Sequence, residues 1–293
     1  MSDYIMPNLQ REKIESYLNE GKRLDGRKVD EYRKLVVEDG VSKNSASAVR
    51  VKFGKTEVLA GVHLALATPY PDSPDAGTFM TSAELHPMAS QQFDIGRPGI
   101  NAIELARVID RGIRESGFID MKKLCIKEGE KVWQVFVDIV AINDDGNILD
   151  VAGLAALIAL GRARMPIYNE KEDKVDGYSE KEGIPLEKDV LSFSMTFHKV
   201  GNAIVADVGK EEEEISKFRL TIAMGGTPLD TPLDKGQTGR ANRTGQVSGK
   251  PRITAMQKGK AGTISDKDME TILKLAESKW AEMFPKVKEY VFG

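Results

Sequence analysis

The chain has 293 residues, 41% of them hydrophobic and 30% charged, enough for a sizeable core in one large domain or two tightly joined ones. A single cysteine, Cys125, excludes a disulfide framework and any thiolate zinc site made within one chain, and it reads as a small buried hydrophobe on a strand. The formal net charge of −3 excludes a uniformly basic nucleic-acid coat but leaves room for a local basic stripe, because phosphate affinity follows clustering.

In chain order, Pro7-Asn8 opens a polar helix with Leu9, Ile14 and Leu18 as its apolar residues and Gly21 closing it. The Met-Ser-Asp-Tyr start shows no secretory pattern, so a cytoplasmic protein is expected. Val49, Val51 and Phe53 alternate with Arg50 and Lys52, the period of a half-buried strand. Phe53-Gly54-Lys55-Thr56 is a turn. Its Gly-Lys-Thr imitates a phosphate loop but lacks the glycine five residues earlier and is flanked by strands. Val58 to Leu66 is apolar on both faces, as in a central strand covered on both sides, and His63 within it reads as a packed histidine.

The segment Asn101 to Ser116 is a helix with the apolar stripe Ala102, Leu105, Ala106, Ile109 and Ile113. A strand from Lys131 to Ile142 sets Trp133, Val135, Val137 and Ile139 on one face. After a turn at Asp144-Asp145-Gly146-Asn147 comes a very apolar helix, Ile148 to Arg164, that belongs inside the core, with Pro166 stopping it. Its longest apolar run, Val151 to Leu160, is too short to cross a bilayer. Tyr168 to Lys188 is charged and reads as a loop joining two halves. Strands resume at Val190 to Lys199, Ala203 to Val208 and Phe218 to Met224. Gly225 to Pro251, rich in Gly, Thr and Pro and without aromatics, reads as an exposed loop. Ser265 and Asp268, in capping-box spacing, open the last helix, whose buried face is Met269, Ile272, Leu273, Ala276 and Trp280.

Few residues offer chemistry. With three histidines and no His-x-x-x-His, Cys-x-x-Cys or Gly-x-Ser-x-Gly, neither zinc chemistry nor serine-type catalysis is supported, and no metal or cofactor is expected. His86 and His198 stand at strand ends without a triad partner. At about 100° per residue, Arg107, Arg111 and Arg114 share one helix face opposite Leu105 and Ile109. They would either grip RNA phosphates or pair with Glu104, Asp110 and Glu115 as a solvated face. Asp207 and the run Glu211 to Glu214 would either hold an ion or proton or merely start a helix.

Arg23-Leu24-Asp25-Gly26-Arg27, followed by Arg33, resembles the opening signature of RNase PH-type phosphorolytic exoribonuclease domains. Asn101-Ala102-Ile103-Glu104-Leu105-Ala106-Arg107-Val108-Ile109-Asp110-Arg111 and Val132-Trp133-Gln134-Val135-Phe136-Val137-Asp138 resemble one branch, the archaeal exosome ring subunit without its own active site. The resemblance runs over residues 8–224 and 252–290 and implies an α+β, RNase PH-like fold: mixed and antiparallel sheets, core helices and ribosomal-protein-like βαβ units. It also implies an N-terminal extension (1–23), a core (24–187) and a C-terminal portion (188–293) with an insertion at about 225–251.

Active members of the family read Gly-Gly-Thr/Ser-Arg at the turn that binds the attacking phosphate. Here Leu149 and Asp150 stand at the hydroxyl and arginine positions, so the phosphate site is degenerate. Leu149 has no donor, while Asp150 suits capping of the helix and repels an anion. Asp207 matches a catalytic-type aspartate and Glu213 stands where a second aspartate belongs, a vestigial acidic site. The branch resemblance assigns Arg107 and Arg111, with Arg114 as a further candidate, to RNA near a sister subunit's active site. The implied partners are that active RNase PH-like subunit (three heterodimers in a ring), a cap of S1- and KH-domain proteins, and single-stranded RNA, with no membrane. A self-sufficient homo-hexameric phosphorolytic exoribonuclease is the alternative.

Overall fold

The computed structural model describes residues 7–226 and 251–293. Its first sheet has the order β1(Leu35–Asp39), β2(Ser47–Phe53), β3(Thr56–Ala67), β6(Lys131–Asn143), β4(Thr78–Leu85), with the short β5(Cys125–Lys127) also pairing β6. All its pairs are antiparallel except β4 with β6, which are parallel and joined across α2(Ile100–Arg114), a βαβ unit. The second sheet has the order β10(Ala203–Ala206), β9(Leu191–Val200), β11(Phe218–Gly226), β12(Arg252–Gly259) and is wholly antiparallel.

Helices α2 and α3(Ile148–Arg162) lie between the two sheets: α3 packs on β2, β3 and β6 and also on β9, and α2 on β4 and also on β12. The sequence of α3 demands this position, since Leu149 through Leu160 are all buried. Close approach to β9 depends on Gly153, where a Cβ would stand 2.6 Å from Ser194 Oγ. On β9, Ser194 and Thr196 face α3, while the alternate residue Phe193 stacks on Trp280 of α5(Asp266–Phe292). The layers are therefore sheet, helix pair and sheet, with α5 covering the outer face of the second sheet through Trp280 and its C-terminal part packing on α3, where Arg162 Nε donates to Tyr290 O at 3.1 Å. Helix α1(Asn8–Asn19) closes a small second core of Ile14, Leu18, Val200, Val205 and Val208.

Several expectations change here. Val58 to Leu66 is covered on one face only, because Val58, Ala60, Val62 and Leu64 are buried while His63 is exposed. His63 is not packed inside: it stacks on Phe136 at 4.5 Å and its Nδ1 lies 3.2 Å from Asp138 Oδ2. The apolar residues of its own face that misled the reading lie on the uncovered side of the sheet. Tyr168 to Lys188 is no loop but mostly a hairpin of β7(Arg164–Asn169) and β8(Lys174–Gly183). Strand β8 is largely exposed, so it lacks the apolar alternation that would reveal it. Helix α3 ends at Arg162, earlier than Arg164, and Pro166 sits inside β7. Cys125 is half-buried rather than buried. The Gly54 turn does link two strands, and the capping of α5 holds: Ser265 Oγ accepts from Asp268 N at 3.2 Å. Most of the Gly225 to Pro251 loop lies outside the described residues.

Candidate functional site

The N-terminus of α3 is the meeting point of the acids. Asn147, the residue before the helix, has φ 57° and is buried. Its backbone N donates to Glu213 Oε2 (3.1 Å), and its Nδ2 donates to Asp207 Oδ1 (2.8 Å) and Asp150 Oδ2 (3.1 Å). Three carboxylates that the sequence scatters thus converge on one asparagine. Among the described residues, however, no group of three or more His, Cys, Asp or Glu side chains could hold a metal ion.

Asp150 is buried and does not cap its own helix. It turns toward β9, where its carboxylate accepts from Thr196 N (2.9 Å) and Thr196 Oγ1 (2.7 Å). The expected capping role is therefore wrong, because the side chain is used for sheet-to-helix packing. Burial pushes its pKa up to about 7, against the hydrogen bonds from Thr196 and Asn147 that favour the charged form. The charge that meets the amide at the start of α3 is Glu213's. Leu149 is buried in the main core and lines no open cradle.

The raised pKa gives a pH prediction. Asp150 has a folded value near 7 and an unfolded value near 3.8, so its stability contribution is fully present below the unfolded value and is lost as pH rises through the folded one. Three units correspond to a loss on the order of 4 kcal/mol by neutral to alkaline pH. Asp150→Asn keeps an oxygen for Thr196 N and an amide for Thr196 Oγ1, which can then donate to Thr221 Oγ1 at 3.0 Å. The variant should melt higher than the parent above about pH 7, with the gap closing near pH 4; thermal melts across that range check it. An equal gap at every pH would show that Asp150 does not titrate there.

Asp207 is fully buried and surrounded by cations. It accepts from Arg33 N (2.7 Å), Nε (3.0 Å) and Nη2 (2.7 Å) and from Arg27 Nη1 (2.9 Å). Burial would raise its pKa, but Arg33's hydrogen bonds and charge, with Asn147, hold it below the usual carboxylate value. Arg33 also donates to the carbonyls of Asp145 and Gly146, each at 3.0 Å. Buried Arg23 pairs with Glu212 and donates to the Asp207 carbonyl at 2.9 Å. Arg23, Arg27 and Arg33 therefore serve as staples for the β10–α4 turn, where α4 is Lys210–Ile215.

On α2 the arginines divide. Arg114 donates to Asp110 through Nε (3.0 Å) and Nη2 (2.9 Å) and to the Phe79 carbonyl (2.6 Å), and lies over the Phe79 ring. It is tied down, which for Arg114 favours the pairing with Asp110 that the sequence had left open beside RNA contact. Glu104 is taken by Arg219 at 2.5 Å. Arg107 and Arg111 are exposed and have no ion pair among the described residues. The loop leading to α2 runs past the acids: Asp144 N donates to Ala89 O (3.0 Å) and Gln92 Nε2 to Glu214 Oε1 (2.6 Å).

Residues 31–166 match the family described as "3' exoribonuclease family, domain 1". The chain is 38% identical over 279 residues to the exosome complex component Rrp42 of Methanocella arvoryzae, covering 95% of each. It is 42% identical over 240 residues to the Rrp42 of Pyrococcus furiosus, covering 81% of this chain and 86% of that one. The chain belongs to the RNase PH family, in its branch of exosome components. Its fold is similar to a subunit of the Archaeoglobus fulgidus exosome with RNA bound to the active site, with a TM-score of 0.77 and 36% identity over 94% of this chain and 98% of that one. It is also similar to an archaeal exosome core chain, with a TM-score of 0.75 and 34% identity over 96% and 97%.

Within this RNase PH framework, reasoning from the sequence missed Asn147 as the hub and Thr196 as the partner of Asp150. An asparagine after Asp-Asp-Gly was a usable hint, since asparagine tolerates the left-handed conformation that Asn147 adopts. No signal marked Thr196. Among the described residues no helix is long and apolar enough to cross a membrane.

Proposed function

We propose that this RNase PH family member is a non-catalytic subunit of a phosphorolytic exoribonuclease ring. It alternates with an active RNase PH-like subunit in three heterodimers, beneath an S1- and KH-domain cap, and contributes contacts to single-stranded RNA. The observation that carries this reading is the start of α3. Where active relatives hold the attacking phosphate, Leu149 is in the core, Asp150 bonds to Thr196, and Glu213 accepts the Asn147 amide. An anion arriving there meets a carboxylate already in place. At ~4 Å and an effective dielectric of about 20 that costs about 4 kcal/mol per charge pair. Asp207, the one residue of catalytic type, is saturated by Arg33, Arg27 and Asn147 and offers no lone pair to a substrate.

RNA contact is assigned to Arg107 and Arg111, whose guanidiniums are exposed and unpaired among the described residues, and not to Arg114. The division into residues 1–23, 24–187 and 188–293 belongs to this reading, with the two larger parts sharing one continuous core. Purified alone, the chain should release no nucleoside diphosphates from RNA with phosphate and magnesium. Phosphate-dependent release that scales with its concentration would refute non-catalytic status and favour the self-sufficient enzyme. Asp150→Arg should not restore activity, because Leu149 and Glu213 still differ.

A further inference from the structure

The chain contains four Asp-Gly steps, Asp25-Gly26, Asp39-Gly40, Asp145-Gly146 and Asp176-Gly177, and no Asn-Gly. At such a step the glycine nitrogen, unhindered by a Cβ, can attack the preceding side-chain carboxyl when both groups are free to turn toward each other. The structure holds three of the four. Asp25 accepts from Arg27 N (3.1 Å) and Nε (2.7 Å), and Gly26 N donates to Arg23 O at 3.1 Å. Asp39 takes Gly40 N on Oδ1 (2.7 Å) and Arg162 Nη1 on Oδ2 (2.5 Å), so its carboxyl cannot turn its carbon onto that nitrogen without giving up the ion pair. Gly146 N donates to Asp144 Oδ1 at 3.1 Å, and a Cβ on Gly146 would stand 2.6 Å from the Gly209 carbonyl carbon. Asp176 is different. It is exposed, and its side chain has no hydrogen bond or ion pair among the described residues. Tyr168 pairs with Val175 and Pro166 with Tyr178, so Asp176 and Gly177 both stand opposite Ile167, a bulge in the β7–β8 hairpin. Gly177 has φ 116° and open space where a Cβ would be.

We propose that Asp176-Gly177 is the step at which this chain converts aspartate to isoaspartate, which makes the exposed hairpin the substrate of a carboxyl methyltransferase of the isoaspartate-recognising class. The amide nitrogen of Gly177 attacks the side-chain carboxyl carbon of Asp176 in its acid form. A C–N bond forms, and the carboxyl hydroxyl leaves with the amide proton as water, closing a succinimide ring. Water then opens the ring. When the bond from the nitrogen to the main-chain carbonyl carbon breaks, the chain continues through the side-chain carbon, and the former main-chain carbonyl becomes a free carboxylate. That product is isoaspartate, and no electrons are gained or lost. The backbone gains one carbon there, which a bulge absorbs more readily than a regular ladder because pairing is already interrupted. The new carboxylate lies on a largely exposed strand, and among the described residues the hairpin pairs with neither main sheet, so the change stays local. At the three held steps the backbone has to open before the same attack can begin.

The test ages the full chain at neutral pH and digests it with trypsin. The peptide Val175 to Lys181 should split into two species of equal mass. Isoaspartate at Asp176 should accumulate at least about ten-fold faster than at Asp25, Asp39 or Asp145, the slowing that a local opening of about 1.4 kcal/mol imposes on a held step. Methyl transfer from a radiolabelled sulfonium donor by an isoaspartate carboxyl methyltransferase should rise with age in the parent. It should stay low in Asp176→Glu, whose longer side chain closes the ring poorly and whose exposed position leaves the melting midpoint unchanged. In denaturant the four rates should draw together, since all four backbones are then free. Absence of isoaspartate at Asp176 in the aged chain overturns the proposal. So does equal accumulation at any of the held steps, or methyl acceptance undiminished by Asp176→Glu. A preference for Asp176 that persists in denaturant also overturns it, by making the neighbouring residues rather than the fold the cause.

Discussion

Asp207→Ala should destabilise the protein steeply and move its unfolding midpoint well below the parent's. The carboxylate is fully buried, and its removal strands two guanidiniums, one backbone amide and the Asn147 side chain together. Breaking a buried pair by removing one partner costs about 3–5 kcal/mol, because the remaining charge keeps its desolvation penalty. Against a total stability of roughly 5–15 kcal/mol, that is a large fraction. Arg33→Lys should also destabilise, though less, since one ammonium cannot reproduce the contacts Arg33 makes to Asp207 and to two carbonyls. The folded pKa of Asp207 is lowered, so its contribution is present above the unfolded value of 3.8 and is lost as pH falls through the folded value. Denaturant melts of the parent and both variants check the order. A parent-like midpoint for Asp207→Ala would mean that the carboxylate is a spare functional acid rather than a structural anchor.

Arg107→Glu/Arg111→Glu should abolish most RNA binding by the assembled ring while sparing its fold. Hydrogen bonds to charged groups contribute about 1.5–3 kcal/mol each, so losing two phosphate grips weakens affinity by two orders of magnitude or more. The salt slope should flatten by about 0.7 for each single-strand phosphate released. Turnover by the ring falls too, although neither mutation touches the catalytic chain. Both positions are exposed and without ion pairs among the described residues, so the melting midpoint should move by no more than about 0.5 kcal/mol. Arg114→Glu makes the control. It breaks the contacts with Asp110 and the Phe79 carbonyl and should lower stability while leaving RNA affinity nearly intact. Unchanged affinity and salt slope for the double variant would reduce the stripe to a solvated face.

The sequence alone already contained the fold's repeating parts. Period-two alternation in β2 and on one face of β6 marked them as strands, and the unbroken apolar run of α3 required a helix covered on every side. Ser265 and Asp268 announced α5 through a contact spanning three residues. Signals of this kind are local, because backbone geometry repeats within a few residues and side-chain polarity follows it. Strand β8 escaped notice for the same reason: an exposed hairpin has no buried face to impose a pattern. His63 was misplaced because apolar residues beside it imply cover that this chain alone does not supply.

The motifs located the site, but only the tertiary structure decided what its residues do. Arg107, Arg111 and Arg114 are equivalent on a helical wheel, yet Asp110 and the Phe79 carbonyl take Arg114 out of play while the other two stay exposed. The second of those partners belongs to a strand 35 residues away. Asp150 looked like a cap at a helix start and is instead buried against Thr196, 46 residues on. Asp207 looked like half of an acidic pair and is the anchor for arginines more than 170 residues earlier. Burial and pairing fix the charge and reach of an ionisable side chain, and both depend on which distant strand or helix is brought against it. Sequence period carries which face of an element a residue occupies; what stands opposite that face is set by how the sheets and helices stack.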